Sequence, residues 1–161
     1  MGTSNNLEGF LLLAKTARGA AAAKLVDQAL QCPSVYVFSE LLACPNIKDL
    51  ESSPDLKPYF DALKLFAYGT YGEFIANRTS YPQFSEVQLC KLRQLTIVTL
   101  AASEKRISYA ILLQELGLGN VRELEDLIIE TIYAGLILVI LCTGVVFLLR
   151  LTLWSERLLG W

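Results

Sequence analysis

The feature that most constrains this chain is an uncharged, strongly apolar stretch near its end, which runs from Thr131 to Leu149 and is followed by Arg150. As a helix, its 19 residues would be about 28 Å long, close to the roughly 30 Å hydrocarbon core of a bilayer. The mean hydropathy of all 161 residues is +0.43. Residues 134–161 supply about 45 of the roughly 69 hydropathy units of the whole chain. The sequence therefore predicts two parts, a globular body and a very apolar end.

Three interpretations are compatible with the apolar end. The first is a membrane-spanning helix over residues 131–149, which would make the chain a tail-anchored membrane protein with its body in the cytosol. The second is a pair of buried strands that turn at Thr143-Gly144, because β-branched residues are frequent there. The third is an incidental apolar end whose exposure favours aggregation. The candidate membrane residues are Leu136, Ile140, Val145, Phe147 and Leu149.

The composition excludes several kinds of active site. The chain has no histidine, so Ser–His and Cys–His catalysis are impossible and the commonest metal ligand is missing. Its four cysteines, Cys32, Cys44, Cys90 and Cys142, lie too far apart in the sequence for a C-x-x-C zinc or redox motif. We therefore predict no catalytic residue, no metal site and no bound cofactor, and we expect the cysteines to be small buried apolar residues.

Charge and the first residues limit the expected partners and compartment. The formal net charge is −2, which gives no electrostatic reason to expect nucleic acid as a partner. Residues 1–6 contain neither a basic segment nor an apolar core, so no secretory signal is predicted. The expected location of the body is therefore the cytoplasm and the nucleus.

Spacing and breaker residues predict a series of helices in the first part of the body. Residues 11–30 form an alanine-rich stretch, interrupted by Gly19, that is typical of helices in close contact. A short helix is predicted over Val35–Ala43, before the next proline stops it. Ser53-Pro54 has the form of a helix start, with serine as the cap and proline in the first turn.

The strongest helix signal begins at Ser85. The sequence Ser85-Glu-Val-Gln88 is a capping box, in which each side chain can satisfy a backbone N–H of the first turn. The helix is predicted to continue to about Ser103. Its expected buried face consists of Leu89, Leu92, Leu95 (with Thr96), Thr99 and Leu100.

Two shorter helices follow, joined by a tight glycine-containing turn. Ser108 is the predicted cap of the first helix, and Asn120 with Glu123 forms a capping box for the second. This arrangement is a helix-turn-helix. Residues 104–133 carry three positive and six negative charges, which disfavours DNA binding and favours protein docking. The candidate docking residues are Arg122, Glu123, Glu125, Asp126 and Glu130.

Four blocks of this sequence are distinctive, namely Val35–Leu42, Phe66–Tyr71, Lys91–Ala102 and Asn120–Glu130. In this order along the chain, they resemble the subunit seven family of the COP-9 signalosome. The resemblance extends over about residues 7–134. This family belongs to the PCI-domain proteins, which the signalosome shares with the proteasome lid and a translation initiation factor.

The resemblance implies a mainly all-α fold and a scaffold function. Residues 7–103 are expected to form a helical-repeat bundle, and residues 104–134 the helix-turn-helix part of a winged helix. The implied partners are the other signalosome subunits, in a complex that removes a ubiquitin-like modifier from the cullins of ubiquitin ligases. The metalloprotease activity of that complex belongs to another subunit, so the implied role of this chain is non-catalytic.

The chain departs from the family pattern after residue 134. Family members continue with polar sequence that forms the strands of the wing, and then with long helices that bundle with other subunits. Residues 135–161 have neither feature, so we expect the wing to be missing and an apolar C-terminal helix to follow. The abrupt change at one residue also favours an end that derives from a different exon or a retained intron.

Overall fold

A computed structural model describes the backbone of residues 3–104, 106–135, 137–142 and 145–150, and the side chains of residues 6–104 and 106–135. The chain forms two compact units. The first unit contains the residues up to Gly69 together with Glu73–Lys91, and the second contains Thr70–Gly72 together with the residues from Leu92 onward. Because this division follows packing rather than chain order, the domain limits at 103/104 and 134/135 stay a prediction.

Helices make up most of the described chain, which confirms the prediction of a mainly all-α fold. Two short 3-10 turns, Asp49–Ser52 and Arg78–Ser80, lie between helices. In chain order the α-helices are α1 (Thr3–Ala14), α2 (Ala20–Gln31), α3 (Ser39–Ala43), α4 (Pro45–Lys48), α5 (Lys57–Tyr68), α6 (Tyr71–Ala76), α7 (Glu86–Ser103), α8 (Tyr109–Leu116) and α9 (Val121–Tyr133).

Gly19 separates the first two helices, as the sequence predicts. Its φ of +59° is a backbone conformation that residues with a Cβ rarely adopt. Helix α1 therefore ends before this position, and α2 begins directly after it. Ala22 and Ala29 on α2 are completely buried, so these small side chains allow neighbouring helices to approach closely.

The helix predicted over Val35–Ala43 is only half as long as expected. Helix α3 covers Ser39–Ala43, whereas Val35–Phe38 lies outside any helix or strand. The side chains of Val35 and Phe38 are both buried. Because β-branched and aromatic residues lose side-chain freedom in a helix, burial of these two side chains outweighs the weak helix preference of the segment.

The predicted helix start at Ser53-Pro54 is also wrong. Helix α5 begins at Lys57, and Pro58 occupies its first turn. The residues before it form a turn, in which the N–H of Lys57 donates to the carbonyl of Ser53 (2.8 Å). Both prolines are compatible with a helix start, because the first N–H groups of a helix have no partner within it. Sequence alone therefore could not select between them.

Helix α7 begins at the predicted capping box, but its buried side is broader than predicted. The backbone N–H of Ser85 donates to Oε1 of Gln88 (2.9 Å), and the N–H of Gln88 donates to Oγ of Ser85 (3.3 Å). Leu89 and Leu100 of the expected face are only half-buried, whereas Ile97 is completely buried. The prediction assumed a single apolar stripe, but buried positions occur on nearly all sides of α7.

The second unit contains the predicted helix-turn-helix and a three-stranded antiparallel sheet. Strand β1 (Arg106–Ser108) leads into α8, while β2 (Ile137–Cys142) and β3 (Val145–Arg150) follow α9. Strand β3 lies between the other two, and its Val146 pairs with Ile107 of β1. A helix-turn-helix followed by a hairpin that pairs with the preceding strand is a winged-helix arrangement, in which β2 and β3 form the wing.

The predictions of a missing wing and of an apolar C-terminal helix are therefore wrong for the described part of the end. Only residues 143–144 separate the two strands, in agreement with the second interpretation of the apolar sequence. Isoleucine and valine favour strands because they are β-branched. Pairing with β1 also satisfies backbone groups of β3, which a helix would have satisfied internally.

The structure also contradicts a membrane-spanning helix over residues 131–149. Among the described residues, no helix combines the length and the apolar character needed to cross a membrane. Thr131–Tyr133 belongs to α9, whereas Ile137–Cys142 and Val145–Arg150 form strands. Of the candidate membrane residues, Leu136 lies outside the described residues, and the others lie in β2 or β3: Ile140, Val145, Phe147 and Leu149.

We expect Gly117→Ala to lower the free energy of unfolding by about 1–2 kcal/mol. Gly117 ends α8 with a φ of +62°, and a Cβ there would lie 2.9 Å from Cε1 of Tyr71. Urea denaturation followed by circular dichroism measures the change. Gly119→Ala is the matched control, because Gly119 has no positive φ and its Cβ would enter open space. Equal destabilisation by the two substitutions would contradict this account.

Candidate docking surface

Helix α9, the second helix of the helix-turn-helix, begins where the sequence predicts. Oδ1 of Asn120 accepts a hydrogen bond from the backbone N–H of Glu123 (2.9 Å), and Oε2 of Glu123 accepts one from the N–H of Gly119 (3.3 Å). Both bonds satisfy N–H groups that have no partner within the helix. The Glu123 carboxylate also lies at the positive end of the helix dipole. This cap fixes where α9 starts and hence which side chains face outward.

One side of α9 is packed and the opposite side is exposed. The packed side chains recur at helical spacing, namely Leu124, Leu127, Ile128 and Thr131. Tyr133, on the exposed side, has 87% of its surface accessible, and Ile129 has 44%. Both follow Arg122 and Asp126 at intervals of three or four residues, so these four side chains share one side of the helix.

Four of the five predicted docking residues are exposed, namely Arg122, Glu123, Asp126 and Glu130. Glu125 is half-buried, and its Oε1 accepts a hydrogen bond from the hydroxyl of Tyr109 (3.3 Å). Burial raises the pKa of Tyr109, and the negative charge of Glu125 and this hydrogen bond raise it further. Glu123 and Glu125 therefore have structural roles, whereas Arg122 and Asp126 lie on the exposed side.

The sequence prediction missed the apolar part of this surface because it considered charge alone. Ile129 and Tyr133 lie seven and eleven residues after Arg122, which places them on the same side of the helix. Counting helical positions from the Asn120 cap could have found them. We use the name α9 face for Arg122, Asp126, Ile129, Glu130 and Tyr133.

Arg93 on α7 supports the end of α8, where the turn to α9 begins. Its Nε donates to the backbone carbonyl of Leu116 (3.0 Å), and its Nη2 donates to the hydroxyl of Tyr71 (3.0 Å). The guanidinium also lies 4.6 Å from the centroid of the Tyr71 ring. These contacts satisfy one of the carbonyls that have no partner at the end of α8. No local sequence pattern predicts them.

The most unusual charged group of the first unit is Lys91, which is only 2% exposed. Its Nζ donates to the backbone carbonyls of Ala29 (3.4 Å) and Cys32 at the end of α2, and lies 5.6 Å from the ring centroids of Tyr36 and Phe38. Removal from water lowers the pKa of Lys91 from its ordinary 10.5 to about 8, while the nearby Cys32 thiol acts in the opposite direction. Lys91 is therefore a structural group.

Cysteine, aspartate and glutamate side chains can bind a metal ion where several of them lie close together. Within the described ranges, no group of three histidine, cysteine, aspartate or glutamate residues is placed to hold a metal ion. Cys32, Cys44 and Cys90 are half-buried rather than fully buried as predicted. The side chain of Cys142 lies outside the described residues.

Comparisons with known proteins find similar sequences over most of this chain. A family profile described as the CSN7 helical bundle subdomain matches residues 8–39. The chain is 52% identical over 135 residues to COP9 signalosome complex subunit 7a of Pongo abelii, which covers 84% of this chain and 49% of that relative. It is 50% identical over 131 residues to COP9 signalosome complex subunit 7 of Drosophila melanogaster, with coverage of 81% and 47%.

A more distant similarity links the chain to another complex. It is 28% identical over 116 residues to eukaryotic translation initiation factor 3 subunit M of Danio rerio, which covers 69% of this chain and 30% of that relative. The chain spans about half the length of the signalosome relatives that it matches.

We expect Lys91 to make a contribution to stability that rises with pH between about 8 and 10.5. In this window the unfolded chain binds more protons at this position than the folded chain, so the free energy of unfolding increases with pH. Between roughly pH 7.5 and 9.5, Lys91 should raise the free energy of unfolding by about 2 kcal/mol. Urea denaturation at several pH values measures it, and Lys91→Met should remove it.

The matched control is Lys24→Met, because Lys24 lies exposed on α2. It should keep the pH dependence of the unmodified chain. Parallel stability curves for Lys91→Met and the unmodified chain would show that Lys91 keeps an ordinary pKa in the folded state.

Proposed function

Because this chain belongs to the COP9 signalosome subunit 7 family, we propose that it is a scaffold component of a signalosome and acts by protein–protein docking. Its partners are then the other signalosome subunits. The activity that it supports is the removal of a ubiquitin-like modifier from cullins, in the cytoplasm and the nucleus. In this proposal the chain binds and positions other subunits and performs no catalytic step itself.

The observation that carries this proposal is the α9 face. It presents Tyr133, which is 87% exposed, and Ile129, which is 44% exposed, on a helix whose other side is packed. Exposed aromatic side chains are frequent anchors of protein interfaces, and charged groups are typical of the rims around such anchors. Arg122, Asp126 and Glu130 provide charged groups of this kind.

The charge of α9 indicates the chemistry of the partner surface. The helix carries one arginine and four acidic residues. A complementary surface therefore presents lysine or arginine side chains around an apolar depression that accepts Tyr133. Nucleic acid is a poor alternative, because its phosphates repel an acidic helix.

Rigid support of α9 also favours a docking role. The Asn120 cap fixes the start of the helix, and Arg93 holds the end of the preceding helix through the Leu116 carbonyl. A surface that is ordered before binding loses less conformational entropy when the complex forms. The α9 face thus has the preorganisation that a scaffold surface needs.

The proposal is tested by co-expression of the full chain with the other signalosome subunits and affinity purification through a tag on this chain. We expect Ile129→Asp and Tyr133→Ser each to reduce the recovery of other subunits by about thirtyfold, because loss of an interface anchor costs about 2 kcal/mol. Quantitative mass spectrometry of the purified material measures the recovery.

The matched control is Ile75→Asp, because Ile75 is 51% exposed and lies in the first unit. This substitution should leave the recovery unchanged. If the unmodified chain recovers no signalosome subunit, the scaffold function is wrong. If the α9 variants recover as much as the unmodified chain, docking through the α9 face is wrong.

A further inference from the structure

An open cleft lies in the first unit, at the end of α5 and beside α6. Its volume is about 510 Å³, which is within the range of about 300–1,000 Å³ that is usual for binding sites. The lining is mostly polar and includes two carboxylates and two phenols. The lining residues are Asp61, Lys64, Leu65, Tyr68, Gly69, Glu73, Asn77, Ser80 and Tyr81.

The charges that line this cleft favour a cationic ligand. Asp61 is half-buried, and within the described part of the chain its carboxylate forms no hydrogen bond or ion pair. Glu73 adds a second carboxylate to the lining. The ammonium of Lys64 lies 5.5 Å from the ring centroid of Phe60, which is not a lining residue. With the Lys64 ammonium included, the lining carries two negative charges and one positive charge, and this balance favours a cation over an anion as the ligand.

A fixed aromatic ring forms one side of the cleft. The Tyr81 ring stacks on Phe84 at a centroid distance of 6.3 Å and an interplanar angle of 28°, and lies 6.1 Å from Phe74. Tyr68 contributes a second phenol and is 43% exposed. Aromatic faces attract planar cations, so these rings and the carboxylates favour the same kind of ligand.

The backbone at Gly69 keeps the cleft open. A Cβ at this position would lie 2.7 Å from Cδ1 of Leu65 and 2.8 Å from Oε2 of Glu73. Any larger residue would therefore displace the Glu73 carboxylate from its place in the lining. The absence of a side chain at Gly69 is a requirement of space, since its φ of −89° is accessible to all residues.

The ionisation of Tyr81 shows that both carboxylates act on the same region. Burial raises the pKa of Tyr81, and the negative charges of Glu73 and then Asp61 raise it further. Both carboxylates therefore act on the Tyr81 hydroxyl.

We propose that this cleft binds an arginine side chain that an extended segment of a partner protein presents. A guanidinium is planar, so it can stack on the Tyr81 ring while its N–H groups donate to the Asp61 carboxylate. A lysine ammonium lacks this combination, because it is a compact and strongly hydrated charge. The volume also leaves room for peptide backbone, to which the Ser80 hydroxyl and the Asn77 side-chain carbonyl can hydrogen-bond. This inference does not rest on the proposed signalosome function.

The test uses two capped tripeptides, Gly-Arg-Gly and Gly-citrulline-Gly, titrated into the full chain. Citrulline keeps the planar shape of arginine but has no charge, so it isolates the contribution of the cation. We expect binding of the arginine peptide about tenfold tighter, because a charge-assisted hydrogen bond is replaced by a neutral one. Amide chemical shifts in two-dimensional NMR spectra should change at the lining residues. Equal binding of both peptides, or shift changes confined to other regions, would overturn the proposal.

Substitutions test whether binding of the arginine peptide depends on the cleft residues or on the general negative charge of the surface. Asp61→Asn should weaken binding of the arginine peptide about tenfold, whereas Asp55→Asn, at an exposed aspartate outside the lining, should leave it unchanged. Lys64→Gln removes a competing cation from the lining and should strengthen binding, a result that misfolding cannot imitate. Unchanged affinity in both Asp61→Asn and Lys64→Gln would overturn the proposal.

Discussion

The structure depends on the pairing of polar groups that α7 carries at buried positions. An unpaired buried polar group costs about 1–3 kcal/mol, and the ends of helices offer carbonyls without partners. In the first unit, Lys91 donates to two carbonyls at the end of α2, and Gln88 donates to the Asp27 carboxylate (2.9 Å). In the second unit, Arg93 donates to the Leu116 carbonyl at the end of α8. These bonds join α7 to the C-terminal part of α2 in the first unit and to the end of α8 in the second unit.

The second unit shows how this constraint reaches the proposed docking surface. Arg93 fixes the end of α8, and the left-handed Gly117 then turns the chain towards the Asn120 cap. The cap sets the rotation of α9, and that rotation turns Ile129 and Tyr133 outward. The α9 face is therefore a consequence of packing and capping several residues away from it. The composition of helix α9 alone does not show which of its residues form this face.

How far this fold could be predicted depends on the sequence distance between the residues that interact. The caps at Ser85 and Asn120 were predictable, because a capping box needs only residues within one turn. The buried position of Lys91 was not predictable, since its partners lie about 60 residues away in the sequence.

The apolar end was ambiguous for a related reason. Leucine, isoleucine and valine suit both a membrane helix and paired strands, and the pairing of residues 145–147 with β1 is a long-range interaction. The acidic candidates for docking were visible in the sequence, but the structural role of Glu125 required the position of Tyr109.

The central claim is that the α9 face contacts another signalosome subunit, and site-specific photo-crosslinking tests it most directly. A photoreactive phenylalanine derivative in place of Tyr133 changes little else, because this side chain is 87% exposed. When the substituted chain is purified together with the other subunits, irradiation should link position 133 to a single neighbouring subunit, at a surface rich in lysine or arginine. If co-purified chain gives no link from position 133, the α9 face is not in contact with a partner and the account is contradicted.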